Sequence, residues 1–238
     1  MAAPKRFFVD NVTDEVLLTG EEYRHAKNVL RLAEGDEVTL LDGSGKEYTA
    51  IIARVGKGEM CLHVTGERTS DKEPKAEVYL LIGALKGDKT ELVVQKAVEL
   101  GVSKIGVFSS RYCSAYMNEN KLERLNRVCR EAAKQCLRAH APEIVYFDKF
   151  EEALKSASGY QEKLFACEFL TASEREAGAA KSPCALVVGS EGGFTQEEFE
   201  LARTLGFAGI TLGKRILRAE TAAIALTSVV MYALGELK

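Results

Sequence analysis

No two cysteines of this chain stand in a C-x-x-C pair. The six, at 61, 113, 129, 136, 167 and 184, are scattered, and with only three histidines they offer no zinc-binding spacing. No metal site is expected, and reduced thiols of a cytosolic protein fit better than a disulfide frame. Long apolar runs are missing too. The most apolar stretch, Thr221 to Leu234, is well short of the ~20 residues of a membrane span. It reads as a buried helix or one packed in a subunit interface. Lys5, Arg6 and Asp10 interrupt the start before any apolar run, so no signal peptide is expected. The expectation is a soluble, cytoplasmic protein without membrane contact.

Basic charge is not in excess either: Lys+Arg 32 against Asp+Glu 35 leaves a net charge of −3. That excludes a chain that grips nucleic acid over its whole surface, and any such contact must rest on a local patch. G-x-G-x-x-G, G-x-x-x-x-G-K-[ST] and G-x-S-x-G are all absent, which removes the dinucleotide, P-loop and serine-hydrolase signatures. No internal repeat or low-complexity segment occurs.

What is present is ordinary in amount and informative in order. The 238 residues, 46% apolar and 28% charged, suit one or two domains with a full core. Residues 1–70 read as short strands, Arg6–Val9, Val16–Leu18, Glu37–Leu41, Glu47–Val55 and Met60–Glu67, separated by glycine turns, with Asp42-Gly43-Ser44-Gly45 as a hairpin loop. One helix, Glu21–Leu32, interrupts them. Five strands and a helix suggest a small barrel. Its nine Lys/Arg against twelve Asp/Glu make it acidic, although Arg24, Lys27 and Arg31 cluster at i, i+3, i+7. That cluster reads either as a solvated face or as an RNA contact.

Residues 71–77 form a polar, proline-containing linker. Beyond it strands and helices alternate: strand Val78–Leu85, a helix from an Asp88/Glu91 capping box to Leu100, strand Ile105–Ser109, a long helix Glu119–Ala139, strand Ile144–Phe147, a short helix from Phe150 and strand Leu164–Cys167. This is an α/β domain on a largely parallel sheet, residues 78–238. On the long helix Leu122, Leu125, Cys129, Ala132 and Cys136 share one face, while Arg124, Arg127, Arg130, Lys134 and Arg138 share the opposite one. The basic face is either plain solvated surface or a phosphate-binding stripe. Tyr112 and Tyr116, just before it, are either packing residues or platforms for unpaired bases.

The chain turns most specific at 184–226, where a strand–glycine loop–helix unit occurs twice. Val187-Val188 run into Gly189-Ser190-Glu191-Gly192-Gly193, and Thr195 with Glu198 forms a second capping box, stapled by Phe194 and Phe199. Gly206 ends that helix, Ile210-Thr211-Leu212 is a second strand, and Gly213 opens the loop KRILRAET before the final helix. Such paired units build ligand crevices at the carboxyl ends of strands. The spacing alone names no ligand.

VGSEGGFT followed by LGKRILRAETAAIAL resembles the paired cofactor loops of the SPOUT methyltransferases, most closely the RsmE-type family of 16S ribosomal RNA uridine N3-methyltransferases. HAKNVLRLAEGDEV resembles that family's PUA-like, RNA-binding N-terminal domain, and EAAKQCLRAHAPEI its motif before a proline. The resemblance implies an α/β SPOUT domain with a trefoil knot, preceded by a small PUA-like β-barrel, and a homodimer. It implies S-adenosylmethionine as methyl donor and uridine 1498 of 16S ribosomal RNA, in the small subunit, as acceptor. A ribose 2′-O-methyltransferase of the same fold and a silent RNA-binding assembly factor are the rival readings. Gly189, Ser190, Glu191, Gly192, Gly193, Leu212, Gly213, Ile216, Leu217 and Thr221 would hold the cofactor. Core packing is the lesser alternative reading of Leu212, Ile216 and Leu217. Glu220 would accept the uracil N3 proton and Arg218, with Arg138, would stabilise charge on the uracil oxygens. A loop-ordering salt bridge is the other reading of Arg218 and Glu220. Arg24, Lys27, Arg31, Arg124, Arg127, Arg130 and Lys134 would meet RNA. The family usually has proline where this chain has Ser190.

Overall fold

The computed structural model describes residues 5–167 and 180–238. It divides into two compact units, Met1–Glu73 with Arg130–Ala141, and Pro74–Cys129 with Pro142–Lys238.

In the first unit, β1 (Arg6–Phe8), β2 (Glu15–Thr19), β3 (Glu37–Leu41), β4 (Lys46–Val55) and β5 (Glu59–Thr69) form one sheet in the order β1-β3-β4-β5-β2. Only the β1–β3 pair is parallel. Register shifts at Thr49/Ala50 and Ile52/Arg54 curl β4 around a core of Phe7, Leu18, Leu40, Ile52, Met60 and Leu62. The β3–β4 loop is fixed by Asp42, whose Oδ1 accepts the Ser44 N–H at 2.9 Å. Glu47 is buried on the sheet. Burial alone would push its carboxyl up, but hydrogen bonds from Arg6 at 2.9 Å and Arg68 at 2.7 Å prevail and hold it at about 2.

The helix expected over Glu21–Leu32 is not one α-helix. α1 (Gly20–Arg24) passes into a π-helical turn, His25–Val29, where Leu30 N–H reaches His25 O, and Arg31 then takes φ 55°. Ala26 and Leu32 are both buried. Six residues apart, they would face different sides of a regular α-helix, and the widened turn brings both to the core.

α3 (Glu119–Gln135) also stops short of Ala139, because Leu137 turns left-handed at φ 67°. This corrects the proposed basic stripe at its end. Lys134 is 3% exposed, with its ammonium 3.2 Å from Glu22. Arg138 lies beyond the helix, also buried, with Nη2 3.0 Å from Glu73 Oε2. The other oxygen of Glu73 accepts the Ala139 and His140 N–H groups at 2.7 and 2.9 Å. Helical periodicity sees a helix face; it does not see a carboxylate brought to cover that face from elsewhere in the unit.

The second unit is built on six parallel strands. They are β6 (Val78–Gly83), β7 (Lys104–Phe108), β8 (Glu143–Phe147), β9 (Glu162–Ala166), β10 (Cys184–Val188) and β11 (Ala208–Ile210), in the order β11-β9-β10-β6-β7-β8. β6 and β10 lie side by side at the centre and are buried throughout, which is why both read as continuous apolar runs. Among the described residues the helices of this unit are α2 (Lys89–Glu99), the first part of α3 up to Cys129, α4 (Phe150–Ser156), α5 (Gln196–Thr204) and α6 (Ala219–Ala233). Phe108, Phe150, Phe165, Phe194 and Phe199 join in one aromatic cluster on the sheet.

One capping box forms and the other does not. Thr195 Oγ1 accepts the Glu198 N–H at 3.2 Å and Glu198 returns a carboxylate to the Thr195 N–H at 2.9 Å. Asp88 stands at the N-cap of α2, yet its side chain makes no capping bond. Arg124 of α3 draws both carboxylates instead, at 2.8 Å from Glu91 and 3.5 Å from Asp88.

Candidate active site at the carboxyl edge of the parallel sheet

Every strand of a parallel sheet delivers its loop to the same edge. Here that edge receives residues 84–88 after β6, 109–118 after β7, 189–195 after β10 and 211–218 after β11.

The loop after β10 is packed to backbone contact. A Cβ on Gly83 would lie 2.5 Å from Ser190 N, and one on Gly192 would lie 2.7 Å from Tyr112 O. Glycine at both places is therefore a matter of space. The loop closes on itself with Gly193 N–H donating to Ser190 O at 3.0 Å, where Gly193 has φ 67°. Phe194 leads out of it into the aromatic cluster, its ring centroid 4.4 Å from that of Phe165. Glu191 Oε1 accepts the Lys86 N–H at 3.1 Å and faces Lys89 Nζ at 3.2 Å. Partial burial works against its ionisation. Its own amide, the Lys86 amide and the Lys89 ammonium outweigh that and hold the carboxyl below its usual range. Ser190 is only 5% exposed, and its Oγ has no hydrogen-bond partner among the described residues.

The loop after β11 is held far less. β11 ends at Ile210, so Leu212 lies in the loop rather than in a strand. Among the described residues its one internal hydrogen bond runs from Thr211 Oγ1 to Gly213 O at 3.2 Å. Gly213 has φ 97° and open space around it. Leu212 and Leu217 are half-buried, and Ile216 stands 92% exposed. Arg218 is the N-cap of α6; it is exposed and has no carboxylate partner among the described residues. Glu220, in the first turn, points Oε1 at Lys89 Nζ, 3.7 Å away, while its Oε2 is buried and unpartnered. Thr221 beside it is exposed.

The structure thus brings Glu191 and Glu220 to one lysine, and it puts the 189–193 and 212–221 segments on one edge. Arg138 belongs to the first unit, on Glu73. Of the residues expected to meet RNA, Arg24, Lys27 and Arg31 are exposed on the first unit, and Lys27 lies over the Tyr23 ring at 5.6 Å. Arg124, Arg127 and Arg130 are exposed along α3, the first of them tied to Glu91. Tyr112 and Tyr116 are both exposed. Sequence reasoning missed Lys86 and Lys89. No spacing rule marks either one, since their partner carboxylates lie about a hundred residues further along. Among the described residues no group of three or more His, Cys, Asp or Glu could hold a metal, and no helix is long and apolar enough to cross a membrane.

Residues 71–231 match the model of an RNA methyltransferase domain, and residues 18–65 match that of an RNA methyltransferase PUA domain. The ribosomal RNA small subunit methyltransferase E of Mesomycoplasma hyopneumoniae is 32% identical over 93% of this chain and 96% of its own length. Two solved structures carry the same fold. A Legionella pneumophila protein, solved with the bound cofactor SAM, superposes with TM-score 0.88 at 29% identity, covering 97% of this chain and 98% of its own. The ribosomal RNA small subunit methyltransferase E of Neisseria gonorrhoeae, bound to S-adenosyl methionine, gives 0.86 at 30% identity over 96% and 97%. The expected α/β domain with a PUA-like module before it stands, and the chain belongs to the RNA methyltransferase family that includes the ribosomal RNA small subunit methyltransferases E.

Proposed function

We propose that this protein methylates N3 of a uridine in 16S ribosomal RNA, the family's uridine 1498, using S-adenosylmethionine. The observation that carries the reading is the pair of glycine loops on one sheet edge, one of them so close to its neighbours that no Cβ fits at Gly83 or Gly192. The residues suit the cofactor. Main-chain groups of Gly189–Gly193 and Leu212–Leu217 would hold adenine and ribose, with Leu212, Ile216 and Leu217 as apolar walls and Thr221 beside them. Two buried polar atoms without partners, Ser190 Oγ and Glu220 Oε2, support a ligand at this edge, because such atoms are costly to leave unmatched. When bound, S-adenosylmethionine supplies the electrophilic methyl carbon.

Uracil N3 carries a proton at neutral pH, and the protein must take it. Glu220 is the acceptor in this reading: its carboxylate would receive the N3 proton that methyl transfer displaces, with S-adenosylhomocysteine as the leaving product. Arg218, exposed and without a carboxylate partner among the described residues, stabilises the charge left on the uracil oxygens in this reading. Arg138 is held by Glu73 in the first unit, so this reading assigns the charge role to Arg218. Arg24, Lys27 and Arg31 on the first unit, and Arg124, Arg127 and Arg130 on α3, supply phosphate contacts. Lys134 contributes there only by ordering its helix end.

Residues 1–70 act in this reading as the RNA-binding module, 71–77 as linker and 78–238 as the catalytic domain. The trefoil knot belongs to the proposal, supported by the loop of a central strand crossing the end of β6 at backbone contact. So does a homodimer: Val229 and Tyr232 of α6 and Leu92 of α2, the helix packed beside it, leave apolar surface that a second copy would cover. The net charge of −3 supports a structured small-subunit particle in the cytoplasm, rather than free RNA, as the substrate.

The test is methyl transfer from labelled S-adenosylmethionine to unmodified small subunits, followed by digestion and mass spectrometry of the nucleosides. 3-Methyluridine is expected. A ribose-methylated nucleoside would overturn the N3 assignment, and cofactor binding without transfer to any RNA would favour a silent RNA-binding role.

A further inference from the structure

We infer that Lys89 is a positioning residue that holds the two cofactor loops together through their carboxylates. The inference rests on the functional reading above and adds a residue that neither motif nor spacing marks. Lys89 opens α2, with Nζ 3.2 Å from Glu191 Oε1 on the first loop and 3.7 Å from Glu220 Oε1 at the end of the second. Glu191 is further tied to the loop after β6 through the Lys86 amide at 3.1 Å. Glu220 has no other cation among the described residues, and its second oxygen is buried without a donor.

One ammonium therefore faces two carboxylates that come from segments some thirty positions apart. The geometry makes the pocket depend on it. The loop after β11 has almost no hydrogen bonds of its own, so its attachment to the first loop runs through Glu220 and Lys89. Without Lys89, two carboxylates, Glu191 with 27% of its side chain exposed and Glu220 with 14%, face one gap with no counter-charge among the described residues. The cheapest relief is for the less anchored loop to swing away. That would separate the two walls of the cofactor site while leaving the sheet intact. Lys89 is also placed to orient Glu220 for the proton it receives, although it touches neither reacting atom.

The experiment is calorimetric titration of the full chain with S-adenosylmethionine. Lys89→Met is expected to weaken binding about tenfold or more, and Lys89→Arg to stay within about threefold of the parent. The decisive variant is Lys89→Met combined with Glu220→Gln, which removes the charge together with its counter-charge. It should recover most of the lost affinity, although it will not methylate. A residue that served only to stabilise α2 would not be rescued from across the gap. In steady-state assays Lys89→Arg should keep the KM for RNA, with any change in the KM for the cofactor. Should Lys89→Met fail to fold, Lys89→Gln, which keeps donors without charge, carries the same test. Unchanged affinity in Lys89→Met, or no recovery in the double variant, overturns the inference. A parent protein that binds no S-adenosylmethionine would instead overturn the functional reading on which it rests.

Discussion

The two loops of the candidate site follow the same local pattern, strand, glycine, helix, and are held in opposite ways. Residues 189–195 are fixed from four directions: backbone contact with Gly83, an internal turn from Ser190 to Gly193, a carboxylate on Lys86 and Lys89, and Phe194 in the aromatic cluster. Among the described residues, 211–218 have one internal hydrogen bond and an isoleucine in water. In the proposed site the first loop is the fixed half. The second leaves Leu212 and Leu217 half-buried and Ile216 in water, a surface that a ligand or a second copy would cover. A binding site made this way keeps one wall rigid and lets the other admit the ligand.

The largest effect expected from this contrast comes from removing the anchor of the rigid loop. Phe194→Ala should cost about 3–5 kcal/mol in urea unfolding, because a ring packed against Phe165, Phe150 and Phe108 leaves a cavity. The glycines separate next. Gly83→Ala should cost about 1–3 kcal/mol and abolish cofactor binding, since its Cβ would strike the Ser190 backbone. Gly213→Ala meets no atom and should cost only the ~1–2 kcal/mol of a left-handed backbone. Equal costs for the two would erase the distinction between a glycine kept for space and one kept for conformation.

A pH titration sharpens the comparison further. Glu191 has its folded carboxyl held below the usual range, so its stabilisation is complete above that range and is lost as pH falls through the lowered folded value. Chemical denaturation across acidic pH should show this loss in the parent and a flatter curve in Glu191→Gln. Smallest of all is the stability change in Ile216→Ser, expected within about 0.5 kcal/mol because the side chain is already in water. The same variant should nonetheless weaken cofactor binding, and unaltered affinity would remove Ile216 from the pocket wall.

How far these features were legible depends on the range of the forces that make them. β3 has the boundaries expected from alternation, and the Thr195 box forms as its four residues dictate. The Asp88 box has the same signature but loses both carboxylates to Arg124, from a helix about thirty residues away. On the basic face of α3, Arg127 and Arg130 are exposed as periodicity predicts, whereas Lys134 is buried and covered by Glu22. Lys89 could not be found at all, because its role exists only where two distant loops converge. Ser190 shows a subtler limit. The sequence marks it as standing where the family usually has proline, but only the fold shows its hydroxyl buried and unmatched. The glycine loops themselves were readable because closeness of backbone to backbone can be met only by glycine.

Hydrogen–deuterium exchange of the full chain with and without S-adenosylmethionine tests the central claim most directly, that the two loops form one cofactor site with a rigid and a completed half. The account expects peptides covering 189–195 to be protected already in the free protein and to change little. Those covering 211–218 should exchange fast when free and gain strong protection on binding. No binding-induced protection in either loop would contradict the site itself, and equal gains in both would contradict the division of labour between them.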